Sequence, residues 1–243
     1  LLTDECINLL HNNNLLQPLV RSVLVKDLLS EIKIETELKD KLVSKFMGEL
    51  NISDENILND WLDKNRLDRM TFEELALSKK KLKKYSKNQF NHKVEARFLE
   101  RKTDLDIVVY SMIRVKDYFL AREIYFRIFE KESEFGELAK KHSDGIESKT
   151  RGIVGPAPLG QAHPRLIELL KCSNEGEVNT PIQIDDYYII VRLEYYEDAK
   201  LDDYMRERMI EELFNKWIDE KANLKTNFLL DNQANQVQES YKS

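Results

Sequence analysis

The stretch FGELAKKHSD, Phe135 to Asp144, and the RGIVGPAPLGQAHPRL that runs from Arg151 to Leu166 hold most of the chain's backbone punctuation. Phe135, Leu138 and Ala139 stand at helical spacing, with Ser133 ahead of them as a cap, so a short helix is predicted. Gly152, Gly155, Pro156, Pro158, Gly160 and Pro164 then predict closely spaced turns. The whole chain of 243 residues has only 7 glycines and 5 prolines, so their concentration here marks a distinct segment inside an otherwise helical sequence.

Working outward, Ile107, Val108, Val109, Tyr110, Met112, Ile113 and Val115 are rich in β-branched types and predict a buried strand within 105–115. Ala121, Ile124, Ile128 and Phe129 follow at helical spacing. Downstream, Pro164 to Cys172 predicts a short helix, and Tyr187 to Leu193, centred on Ile189, Ile190 and Val191, a final strand. The order is β-α-α-turn-α-β.

The first hundred or so residues read as helices in series. Leu15, Leu16, Leu19, Val23, Leu24, Leu28 and Ile32 recur at three- and four-residue spacing and predict an amphipathic helix to about Ile34. A second begins after Thr36 and carries Leu38, Leu42 and Phe46; a third carries Ile57, Leu58, Trp61 and Leu62. Thr71 and Glu74 form a T-x-x-E capping box, and a further helix is predicted from about Gln89 to Arg101. From Asp202, helical spacing returns with Met205, Met209, Leu213, Phe214 and Trp217, and beyond about Asp231 the apolar face is lost, which predicts a frayed tail.

Composition excludes several classes. With 38 basic and 44 acidic side chains the net charge is −6, which disfavours nucleic acid as a partner. No apolar run reaches the ~18 residues of a membrane span. Leu1 to Asn14 has no basic region feeding an apolar one, which predicts a cytoplasmic address. Cys6 and Cys172 lack CxxC partners and are expected to be buried thiols. His11, His92, His142 and His163 have no metal-ligand spacing, so no metal is expected. Phosphate-loop, dinucleotide and serine-hydrolase motifs are absent. The lysines from Lys79 to Lys87 read as a solvated helix face.

Taken in order, Phe135, Leu138, Ala139, Ser143, Gly152, Gly155, Gly160, Gln161, Gly176, Glu177, Val178, Pro181, Ile189 and Ile190 resemble the pattern of the parvulin family of peptidyl-prolyl cis-trans isomerases. The helical flanks resemble those of periplasmic, extracellular and cyanobacterial foldases, in which such helices pack as a chaperone-like domain. The resemblance implies an α+β protein: a helical chaperone-like domain over 1–103, a parvulin-like β-α-α-α-β unit over 104–196 inserted in it, and a C-terminal helix within 197–243 that packs on the helical domain.

The resemblance also implies site positions. The family's two histidines fall on Met112 and Tyr188; the position after Asp144, often a thiol or carboxylate, is Gly145; and the hydroxyl position is Asn179. Tyr188, Asn179 and Asp144 are therefore the candidate catalytic residues, with Tyr188 and Asn179 able to form a hydrogen-bonded pair. Val154, Ala162 and Leu166 fall on the apolar proline contacts, with Met112 beside them and His163 at the rim. The implied function is prolyl isomerisation with chaperone-like binding of unfolded or exported polypeptide, without a cofactor and in association with an export system. The alternative is a catalytically silent fold that binds peptide or serves as an adaptor.

Overall fold

A computed structural model describes residues 3–240, with the backbone alone given for 232–240. The chain divides into two compact units: residues 1–94 with 202–243, and residues 95–201. The division falls at Val94, the first residue of α6 (Val94–Leu105), which is separated from the first strand by Asp106 alone.

The second unit is built on four antiparallel strands, β1 (Ile107–Val115), β2 (Ile153–Pro158), β3 (Ile182–Ile184) and β4 (Tyr187–Glu197), in the order β2-β1-β4-β3. β1 and β4 follow the β-branched runs in the sequence. β2 and β3 are additional to the two strands predicted. β2 reads IVGPAP, and its prolines are tolerated because it lies at a sheet edge. Gly155 within it has φ +106°, and an added Cβ would come 2.5 Å from the Val108 carbonyl oxygen, so glycine is required where the edge strand bends against β1.

Helices α7 (Tyr118–Phe129), α8 (Phe135–His142) and α9 (Pro164–Lys171) complete this unit. One sheet face packs Ile113, Val115 and Ile190 against Ala121, Ile124 and Ile128 of α7 and Phe135, Leu138 and Ala139 of α8. The opposite face packs Val108, Tyr110, Ile189, Val191 and Leu193 against Leu159 and, from α9, Leu166 and Leu170. Alternation along the strands thus gives each face its own core. The cap of α8 is Glu134 and carries no side-chain cap bond; Ser133 instead accepts from Arg127 at 3.0 Å.

The first unit is all-helical: α1 (Asp4–Asn12), α2 (Leu16–Ser30), α3 (Thr36–Glu49), α4 (Glu55–Asn65), α5 (Arg69–Phe90) and α10 (Asp203–Ser240). α5 starts earlier than the Thr71 capping box implies, since Asp68 is the cap and accepts from the Thr71 N–H at 2.7 Å. Phe72, Leu58, Leu62 and Val43 form one core, with Phe46 and Trp61 against Phe72. Ala222, Phe214 and Ile218 of α10 close two others, over Ile7, Leu16 and Val20 and over Phe90. Arg21 fastens α2 to α10, donating to Asp219 at 2.7 Å and Asn215 at 2.8 Å. The α10 backbone stays helical to Ser240, past the point where loss of the apolar face predicts fraying; residues 241–243 of that tail lie outside the described residues.

On α2 the buried side chains are Leu16, Val20 and Leu29, whereas Leu15, Leu19 and Val23 are exposed. Both thiols, Cys6 and Cys172, are exposed, which corrects the expectation that they are buried. Among the described residues no helix is long and apolar enough to cross a membrane.

Candidate functional site

The sheet face that carries α9 has a wall of half-buried apolar side chains. Met112 from β1, Val154 from β2 and Ala162 just ahead of α9 all pack on the same cluster, and Leu166 lies beneath them with 5 % of its surface exposed. These four positions, scattered over 55 residues of sequence from 112 to 166, meet because β1 pairs with β2 and the turn at 159–161 folds α9 onto the sheet. His163 caps α9: its Nδ1 accepts from the Arg165 N–H at 3.2 Å, and its ring is exposed beside Ala162.

Beside this wall, two residues along β1 from Met112, lies an ion pair that the sequence reading missed. Arg114 donates to Glu147 through Nη2 at 2.7 Å and Nε at 3.2 Å. Ser143 Oγ donates to Glu147 at 2.6 Å and accepts the Arg114 backbone N–H at 3.0 Å. Glu147 is 3 % exposed. Burial pushes its carboxyl up, but the bonds from Arg114 and Ser143 outweigh that and leave it below the ordinary carboxylate value. The Glu147 hydrogen bond in turn raises the Arg114 guanidinium further, against burial. Burial, then the nearby Glu147 carboxylate, push the Tyr110 phenol up.

Gly145 makes room for this pair. A Cβ there would fall on Arg114 Nη2 and both Glu147 carboxylate oxygens, so glycine at the position where the resemblance places a thiol or carboxylate is a steric requirement of the ion pair. Asp144 is exposed; its backbone N–H donates to the Arg114 carbonyl at 2.9 Å, and its charge is a lesser one among those holding Arg114 protonated.

Tyr188 is on the other side of the sheet. It pairs with Val115 and packs in the α7/α8 cluster, its ring 5.2 Å from that of Tyr118. Met112, paired with Val191, faces α9. Tyr188 and Met112 therefore do not face each other, and the expected Tyr188–Asn179 pair does not form. The Asn179 amide donates instead to Ser173 Oγ at 2.9 Å and to the Val191 carbonyl at 3.4 Å. Tyr187, the neighbour of Tyr188, is the one of the two that shares the face of Met112. Arg114 and Lys116 both approach its ring, at 5.8 Å and 5.7 Å from the centroid. Arg114 and Tyr187 could have been found from strand alternation, since each stands on the Met112 face once the β1–β4 register is known. Glu147 had no sequence signal.

Among the described residues no group of three or more His, Cys, Asp or Glu side chains is placed to hold a metal ion. The arrangement offers a dry wall with a fixed cation and a tyrosine at one end. It can seat a small apolar ring and present hydrogen-bond donors to a carbonyl beside it.

Residues 114–195 match the family model described as Rotamase, the PPIC-type PPIASE domain. No curated protein matches the chain. Among solved structures, the peptidylprolyl isomerase PrsA of Bacillus anthracis is similar at 22% identity over 86% of this chain and 97% of that one, with a TM-score of 0.47. PrsA of Bacillus cereus is similar at 20% identity over 95% and 87%, TM-score 0.49. A structure from the pair of SurA-like chaperones PEB4 and Cj1289 of Campylobacter jejuni is similar at 18% identity over 82% and 85%, TM-score 0.38.

Proposed function

Since residues 114–195 are a PPIC-type peptidyl-prolyl isomerase domain of the parvulin kind, we propose that this chain catalyses cis-trans isomerisation of Xaa-Pro bonds at the face of Met112, Val154 and Ala162. The observation that carries the reading is that wall, apolar and only half covered, with Val154 and Ala162 inside the residues that match the family model and Met112 two residues ahead of them. Rotation about the amide has a barrier of ~18–20 kcal/mol, set by C–N resonance. No bond is made or broken. A proline ring seated on the wall leaves its preceding carbonyl out of water, which weakens the charge-separated resonance form and favours the twisted amide. Arg114, fixed by Glu147, and the Tyr187 ring border the place where that carbonyl and the residue before proline would lie.

The helical unit supports the second half of the reading, binding of unfolded, proline-containing or exported polypeptide. Leu15, Leu19 and Val23 form an exposed apolar stripe on α2, with Leu9 also exposed on α1. Association with an export machinery belongs to the same proposal, through the clients such a stripe would hold.

A second reading has its own observation. The two histidine positions implied by the parvulin resemblance carry Met112 and Tyr188, on opposite faces, so no facing pair of polar groups exists there. A binding module would need none. Two-dimensional NMR exchange on Xaa-Pro peptides with catalytic amounts of the full chain separates the two. Accelerated exchange, lost in Ala162→Glu, is expected; peptide binding without acceleration would leave the adaptor reading, and neither binding nor acceleration would sink both.

A further inference from the structure

The outer side of α7 is more apolar than a solvated helix face should be. Phe119 is 79 % exposed, Phe129 55 %, Phe126 47 % and Tyr118 43 %. The inner side, Ala121, Ile124 and Ile128, is fully engaged with the sheet and Tyr118 packs on Tyr188, so Phe119, Phe126 and Phe129 are surplus to the fold. They are also ordered among themselves. Arg122 lies over Tyr118 at 5.9 Å and over Phe126 at 5.5 Å, and Tyr125 stacks on Phe129 with centroids 5.7 Å apart. Such rings lose little freedom on being covered, and aromatics with arginine are the side chains that dominate protein interfaces.

We infer that this face is a homodimer contact, in which α7 packs antiparallel on α7 of a second copy of the chain. The sequence of the stripe argues for a copy of itself as occupant. Phe119, Arg122, Phe126 and Phe129 follow one another at intervals of three, four and three, which read the same in both directions. A two-fold axis midway between Arg122 and Phe126 therefore sets Phe119 against Phe129 of the second copy and Arg122 against Phe126 of the second copy, exchanging the internal Arg122–Phe126 contact of each copy for one across the interface. Residues three and four apart share one helix face, which is the condition for such a seam. Taking ~200 Å² for each aromatic side chain, the exposed parts of Phe119, Phe126 and Phe129 offer roughly 360 Å² per copy. The pair would cover roughly 700 Å² of ring surface, to which the Arg122 side chains add, below the ~1,000 Å² border of stable interfaces, so the dimer is reversible and weak, with a Kd of roughly a hundred micromolar. The contact lies on the sheet face opposite Met112, so it does not compete with the proposed peptide site.

Sedimentation equilibrium of the full chain from a few to several hundred micromolar tests this. A concentration-dependent monomer–dimer equilibrium is expected, with Kd raised at least about thirtyfold in F119S/F126S and in R122E, while far-ultraviolet dichroism, the thermal midpoint and peptide exchange stay as in the parent. A parent chain that stays monomeric throughout overturns the inference. So does a dimer that both variants retain. A monomeric parent whose affinity for a denatured model protein falls in F119S/F126S also overturns it, and would give the face to clients.

Discussion

Tyr187 and Tyr188 are chemically identical neighbours with opposite situations. Tyr187 shares its face with Met112 and has two cations at its ring, whereas Tyr188 is packed between the sheet and α7. Tyr188→Ala should therefore lower the thermal midpoint of the domain, by an amount corresponding to ~3 kcal/mol, and leave exchange per folded molecule unchanged. Tyr187→Ala should leave the midpoint within a few degrees and change peptide affinity or exchange. The inverse pattern in NMR exchange and calorimetry would return Tyr188 to the site. Motif order placed both tyrosines in sequence, but the face each takes depends on the β1–β4 register, which residue order does not specify. The same limit applies to Leu166: the resemblance marks it as an apolar contact position, and only the fold shows it beneath the wall, in the core.

At the scale of elements, the segment from Ser143 to Thr150 is docked on β1 at Arg114, through one ion pair and two backbone hydrogen bonds. Ser143, Gly145 and Glu147 supply the acceptor, the space and the charge; Arg114 supplies the counter-charge. Because the Glu147 carboxyl titrates below its ordinary value of 4.5 when folded, its contribution is complete above about pH 4.5 and is lost as pH falls through the lower folded value. Glu147→Gln leaves the Arg114 charge unmatched and should cost ~3 kcal/mol at neutral pH, with a flatter dependence of stability on pH below 4.5. Urea unfolding at pH 7 and across pH 3–5 checks both; parallel pH curves for the two proteins would refute the docking role. Elements with strong periodicity or β-branched runs, such as α3, α4, β1 and β4, are legible in the sequence. β2 and β3 are not, since one contains proline and glycine at an edge and the other is only 3 residues long. The start of α5 was displaced because Asp68 outcompetes Thr71 as cap, a choice between two good candidates that composition leaves open.

At the scale of the molecule, the two units differ in how the chain enters them. Residues 95–201 are one continuous segment with its own two-faced core, and they are expected to fold alone, with a cooperative melt and a dispersed amide spectrum. Residues 1–94 alone should keep the Phe72 core but lose order in α1, α2 and the end of α5, whose buried side chains need Ala222, Phe214 and Ile218. Hydrogen exchange on the two fragments reads this directly; full protection of α2 in the shorter one would contradict it. Glycine and proline concentrate inside the second unit, whereas its first helix, α6, is helical like its neighbours and carries no sequence mark of the division.

That interruption sets an order of events during synthesis. The ribosome delivers the sheet whole before α10 exists, so the 95–201 segment is completed while Leu16, Val20 and Phe90 still lack their cover. The earliest helices are therefore the last to be sealed, by the latest stretch of chain. A cut by a protease within α10 would undo structure some two hundred residues upstream and leave the intervening sheet unit untouched.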